Sequence, residues 1–205
     1  MNKYFMFAFI AIIPFLVSCS DSENDLVEIK DTPESESLNE VNRKEAFDYL
    51  NAVRNNPTAY NDELGVDLST VERRDDLIWN DAIAKAAYNK AKDMAERNYF
   101  AHVDPDGYGM NYKINEAGFE LADYLLQSKE AKNFESIAAG TNRNSGKIMI
   151  QQLIIDKGIP SLGHRKHLLG MTDFWAESKY CGIGFYKKAG SKYTYYMCVL
   201  IAKHG

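Results

Sequence analysis

Three of the four histidines in this chain of 205 residues stand where they can do chemistry. His102 lies in Phe100-Ala101-His102-Val103-Asp104-Pro105-Asp106-Gly107. Glu135 opens the apolar stretch Glu135-Ser136-Ile137-Ala138-Ala139-Gly140. His164 and His167 share Gly163-His164-Arg165-Lys166-His167-Leu168-Leu169. Two imidazoles and a carboxylate form a donor set for zinc or a similar divalent cation. Without an ion, a carboxylate beside an imidazole favours the protonated ring and orients water. His102, Glu135 and His164 are therefore the candidates for general acid/base catalysis. No nucleophile or oxyanion hole can be picked out beside them. The same three residues would also serve as a structural hydrogen-bond network between helix and sheet. His167 is expected to be a partly exposed cap, His204 a solvated tail residue, and Arg165 a salt-bridge partner or helix cap.

The elements around these residues follow from periodicity. Val41, Ala46, Phe47, Leu50 and Val53 recur at helical spacing over Glu40 to Asn56, and Pro57 stops that helix. A second helix follows Trp79, capped by Asn80 or Asp81, with the stripe Ile83, Ala84, Ala87, Ala91, Met94 and Ala95. Its alanines allow close packing. Asp104-Pro105-Asp106-Gly107 is a turn. A third helix is expected from about Ser145 to Lys157, ended by Gly158 and Pro160, and a short helix or turn over Leu162 to Met171.

The C-terminus reads as a β-hairpin, Tyr180 to Lys187 and Lys192 to Ala202, turning at Lys188-Ala189-Gly190-Ser191. A turn centred between Ala189 and Gly190 sets Cys181 opposite Cys198. A disulfide between them and two buried free thiols are both open readings.

The N-terminus is a targeting segment. Lys3 precedes an apolar run from Tyr4 to Val17, too short for a comfortable membrane span and of signal-peptide size. The run ends in Leu16-Val17-Ser18-Cys19, which resembles the bacterial lipobox. Residues 1–18 are therefore expected to be a lipoprotein signal peptide, with acyl chains such as palmitate on Cys19 holding the protein to a membrane. Residues 19–38 are acidic and polar, composed as a disordered tether, and the folded domain is expected over 39–205. The net charge of -5 argues against a nucleic-acid partner.

The motifs taken in order resemble the CAP (SCP/PR-1-like) superfamily in its bacterial form. Leu77-Ile78-Trp79-Asn80 is similar to its Leu-x-Trp-Asn opening. Phe100-Ala101-His102 with Pro105-Asp106-Gly107 is similar to Phe-Ser-His…Pro-Asp-Gly. Glu135-Ser136-Ile137-Ala138 is similar to Gly-Glu-Asn-Ile-Ala. Gly163-His164-Arg165 and Gly182-Ile183-Gly184 match the later Gly-His-Arg and Gly-Val-Gly motifs. The resemblance implies an α+β fold, a three-layer α-β-α sandwich around a small, mostly antiparallel sheet. It implies a cleft of two His and two acids: His102, Glu135, His164 and, from Leu153-Ile154-Ile155-Asp156, Asp156. These four are the expected metal ligands. Ala101, Phe134 and Ser136 depart from the family's Ser, Gly and Asn, and His167 stands where the family often has Asn.

The function expected from this is a monomeric, envelope-anchored, outer-membrane lipoprotein on the periplasmic or cell-surface side. It would act as a binding module for a lipid, glycan or peptide. The alternatives are a peptidase or cell-wall hydrolase using Glu135, His102 and His164, and a structural envelope protein.

Overall fold

The computed structural model describes residues 33–205. The expected signal segment, Cys19 and the tether as far as residue 32 lie outside the described residues. Helix α1 (Pro33–Asn55) takes in residues 33–38, which the sequence assigns to the tether. A proline in the first turn, the acidic Glu36 close behind it and the buried Asn39 and Asn42 explain the earlier start. Polar residues facing the domain leave no apolar periodicity to read. Val41, expected in the core, is 63% exposed.

A 3₁₀ turn (Pro57–Tyr60) and α2 (Asn61–Leu64) lead to the two-residue strand β1 (Ile78–Trp79). Next come α3 (Asp81–Glu96), α4 (Met110–Glu116), β2 (Glu135–Gly140), α5 (Gly146–Ile155), α6 (Gly163–Leu169) and α7 (Asp173–Ala176). The hairpin β3 (Tyr180–Lys187) and β4 (Tyr195–Ala202) closes the chain. The sheet order is β1-β3-β4-β2, with β1 parallel to β3 and the other pairings antiparallel. The expected α-β-α sandwich is therefore present.

Two cores result from strand alternation. Ala138, Ile183, Phe185, Met197, Val199 and Ile201 face α1 and α5, against Leu50, Val53, Ile150 and Leu153. Ile137, Cys198, Leu200 and Ala202 face α3 and α4, against Ile83, Ala87, Met94 and Ile114. Helix α3 starts at Asn80, whose side chain accepts from the Ile83 amide at 3.0 Å. Its alanines meet glycines of β3: a Cβ on Gly182 would lie 2.1 Å from Ala84 N, and one on Gly184 2.1 Å from Ala87 O. The Gly-x-Gly motif is thus a close backbone approach between strand and helix.

The hairpin register corrects the expected cysteine pairing. Cys181 faces Ile201 and Cys198 faces Gly184, three residues away along β3. An odd offset puts the two side chains on opposite faces, Cys181 in the α1 core and Cys198 in the α3 core. Both are buried free thiols. The loop between the strands, residues 188–194, is longer than the four-residue turn expected, and the longer loop shifts the register.

Candidate functional site

Glu135 and Ser136 begin β2, an edge strand, so neighbouring residues reach opposite sides of the sheet's margin. Glu135 faces the α3 side. Its Oε2 lies 2.6 Å from His102 Nδ1. The Glu135 side chain is 0% exposed and the His102 side chain 36%, so the carboxylate sits behind the ring. The Cys198 thiol donates to Glu135 Oε1 at 3.7 Å. Burial, then the Glu135 charge, holds that thiol well above its ordinary pKa, so it stays a donor.

The loop bearing His102 is fixed from below. Lys90, on the buried face of α3, donates to the His102 carbonyl at 3.1 Å and to the Tyr99 hydroxyl at 3.2 Å. The Asp104–Gly107 turn forms as expected, with Gly107 N donating to Asp104 O and Asp104 Oδ1 accepting from the Asp106 and Tyr108 amides.

The second pair is built at the α5–α6 junction. Asp156 ends α5 in the left-handed region, φ 52°. Its Oδ1 lies 2.7 Å from His164 Nδ1, and its Oδ2 accepts from the backbone amides of His164 and Arg165. Asp156 therefore orients the ring and satisfies orphan amides at the start of α6 together. Again the carboxylate is inside, 1% exposed, and the ring outside, 26% exposed. Arg165 folds back to donate to the Ile154 and Ile155 carbonyls, which makes it the cap of α5. The helix-cap reading of this residue is the one the structure shows.

Between the pairs lies His167, 2% exposed rather than a surface cap. Its Nδ1 is 2.7 Å from Ser136 Oγ, and its buried Nε2 has no hydrogen-bond partner among the described residues. Burial first, with the charges of His164, Arg54 and His102 adding to it, pushes its pKa down to about 3. Ser136 adjoins Glu135 in β2 and His167 follows His164 by one turn of α6, so their contact brings the two histidine–carboxylate pairs to one buried centre. His204 is no free tail either: it stacks on Phe119 at 4.1 Å between ring centroids and meets Tyr180 edge-on.

The four residues expected to ligate a metal thus come as two His–carboxylate pairs. Among the described residues no group of three or more His, Cys, Asp or Glu is placed to hold an ion. Both acids are spent on imidazole and amide N–H groups inside the protein, so the residues do not fit a four-ligand centre. What faces outward is the Nε2 edge of His102 and of His164. In each ring an Nδ1–H donated to the carboxylate leaves Nε2 as a lone-pair acceptor. Ser136 is fully buried, out of reach of a substrate, and burial makes its histidine partner a weak base, so this Ser–His contact is no activated nucleophile. Phe134 is buried and stacks on Phe174, so this departure fills the core.

Residues 47–200 match the cysteine-rich secretory protein (CAP) family. The chain belongs to the CAP family. Its fold is similar to that of an extracellular protein containing an SCP domain from Bacillus anthracis str. Ames, at 24% identity and a TM-score of 0.52. The match covers 84% of this chain and spans 44% of that one. It is also similar to an outer surface protein from Borrelia burgdorferi, at 13% identity and a TM-score of 0.47, over 85% of this chain and 96% of that one. No curated protein matches the chain. The CAP domain accounts for the motif order, and within it sequence reasoning missed Lys90 and the inward role of His167. Lys90 shares the helical face of Ile83, Ala87 and Met94, and that spacing was the available signal.

Proposed function

We propose that this CAP-domain protein is a binding module tethered outside the cytoplasm by lipid on Cys19, at the outer membrane, facing the periplasm or the cell surface. Its ligand, a lipid, glycan or peptide, is held at the cleft between His102 and His164. One observation carries the reading: two part-exposed imidazoles, each fixed through Nδ1 by a buried carboxylate. Such rings are preorganised acceptors that lose little freedom when a donor arrives. The extracellular SCP-domain neighbour and the apolar run closing on Cys19 support the location.

A carboxylate-oriented imidazole with a free Nε2 is also the arrangement of a general base, so hydrolysis is the second reading. The test is mass spectrometry of small molecules retained by protein purified from its native host. A species retained by wild type and lost from His102→Ala and His164→Ala is the expected result. The same complement in all three proteins contradicts the proposal.

A further inference from the structure

Residues 100–103, which carry His102, belong to no helix or strand. The chain enters them from α3 through Asn98, in the left-handed region at φ 59°, and the Tyr99 amide donates to the Met94 carbonyl at 3.0 Å. It leaves them at Asp104, whose amide donates to the Tyr108 carbonyl at 2.9 Å. Between those two points one hydrogen bond holds the backbone among the described residues, from Lys90 Nζ to the His102 carbonyl at 3.1 Å. The His102 ring is held no more firmly than the backbone that bears it.

Lys90 is itself fixed. It is 5% exposed. Its ammonium donates to the Tyr99 hydroxyl at 3.2 Å and lies 4.9 Å from the centre of that ring. The Tyr99 hydroxyl donates in turn to Asp93 Oδ2 at 2.5 Å, one turn further along α3, which leaves its lone pairs for the ammonium. Lys90 thus grips both ends of the segment from Tyr99 to His102. The acid of the pair is set separately. Glu135 stands on β2, and its Oε1 accepts from the Cys198 thiol of β4. The sheet places the carboxylate, and α3 places the ring.

We propose that Lys90 is the positioning residue of His102: through the His102 carbonyl it places the ring so that Nδ1 meets Glu135 and Nε2 is presented to a ligand. The role rests on the reading of that Nε2 as the acceptor of the ligand's donor. It is confined to one half of the cleft. Asp156 places His164 through both its ring and its backbone amide, with no lysine between them. A methionine would fill the space of the Lys90 stem without the cost of burying an ammonium, so what the charge adds is its grip on this segment.

Long-range nitrogen–proton NMR on ¹⁵N-histidine-labelled protein tests this, at a pH where the rings are neutral and with no ligand added. In wild type His102 and His164 should both hold Nδ1–H. Lys90→Met should turn His102 into an averaged pair of tautomers, the Nε2–H share rising about tenfold or more, the weight of one charge-assisted hydrogen bond. His164 should keep Nδ1–H. Tyr99→Phe, which leaves the ammonium charged but unanchored, should move His102 the same way and decides the matter if Lys90→Met fails to fold. A lysine that only stabilises the domain would lower the melting temperature of the variants and leave the His102 tautomer unmoved, and that result would overturn the proposal. An equal change in both histidines would overturn it too. A shift confined to His102 supports it even where wild type retains no ligand, the outcome that removes the binding reading alone.

Discussion

Ser136 Oγ lies 2.7 Å from His167 Nδ1, in the buried space between the two histidine–carboxylate pairs. These are two of the positions at which the chain departs from its family pattern, and they touch. A short hydroxyl at one position leaves room for an imidazole at the other, and the ring sits where the charges of His102 and His164 both reach it. The centre of the site is therefore a neutral histidine, and its neutrality has consequences.

The first consequence is acid sensitivity. The folded pKa of His167 is depressed from 6.5 to about 3. Below about 6.5 the unfolded chain takes up a proton that the folded ring refuses. Stability is therefore full above pH 6.5 and is lost as pH falls toward 3, and at pH 4.5 the loss is about 3 kcal/mol. Urea unfolding at pH 7 and pH 4.5 measures it. His167→Gln should reduce the difference between the two pH values by that order. An unchanged difference contradicts the burial of the neutral ring.

Gly184→Ala should destabilise the domain by more than about 3 kcal/mol, because its Cβ would meet the Ala87 backbone at 2.1 Å and backbone cannot swing aside. Chemical denaturation, or loss of soluble protein, reads this. A melting temperature within a few degrees of wild type would mean that α3 does not pack so closely on β3.

Arg165→Met should cost about 2–4 kcal/mol, since it leaves the buried carbonyls of Ile154 and Ile155 without their donor. Arg165→Lys should recover only part of this, because one ammonium does not reproduce the fork. Equilibrium unfolding of the three proteins is the measurement, and full recovery in the lysine variant would contradict the capping geometry.

The two core cysteines should remain thiols. Alkylation of unfolded, unreduced domain lacking residue 19 should add two labels by intact mass, and a reductant should leave the melting temperature unchanged. Burial pushes the Cys181 thiol up to about 12, so it is inert until the fold opens. A mass without labels would restore the disulfide.

Motif order carried the layers of the fold, and two helix starts were legible. Asn80, one of the two expected caps, caps α3, and α5 opens at Ser145, where that helix was expected to begin. The strand register was not legible, because hairpin alignment depends on loop length and residues 188–194 carry no two-residue turn signal. The pairing of His102 with Glu135 could be foreseen only as proximity. That the acids stand behind the rings depends on burial at an edge strand and at a left-handed Asp156, neither of which sequence spacing encodes. The burial of His167 was hidden because its helix is short and its inward face meets a serine rather than an apolar stripe.

The most direct test of the cleft is the tautomeric state of its two imidazoles. Long-range nitrogen–proton NMR on ¹⁵N-histidine-labelled domain, with His102 and His164 assigned by substitution, resolves which nitrogen carries the proton when the rings are neutral. The account predicts Nδ1–H in both, each donated to its carboxylate, with Nε2 as the lone-pair acceptor facing outward. Finding either ring as the Nε2–H tautomer would contradict it.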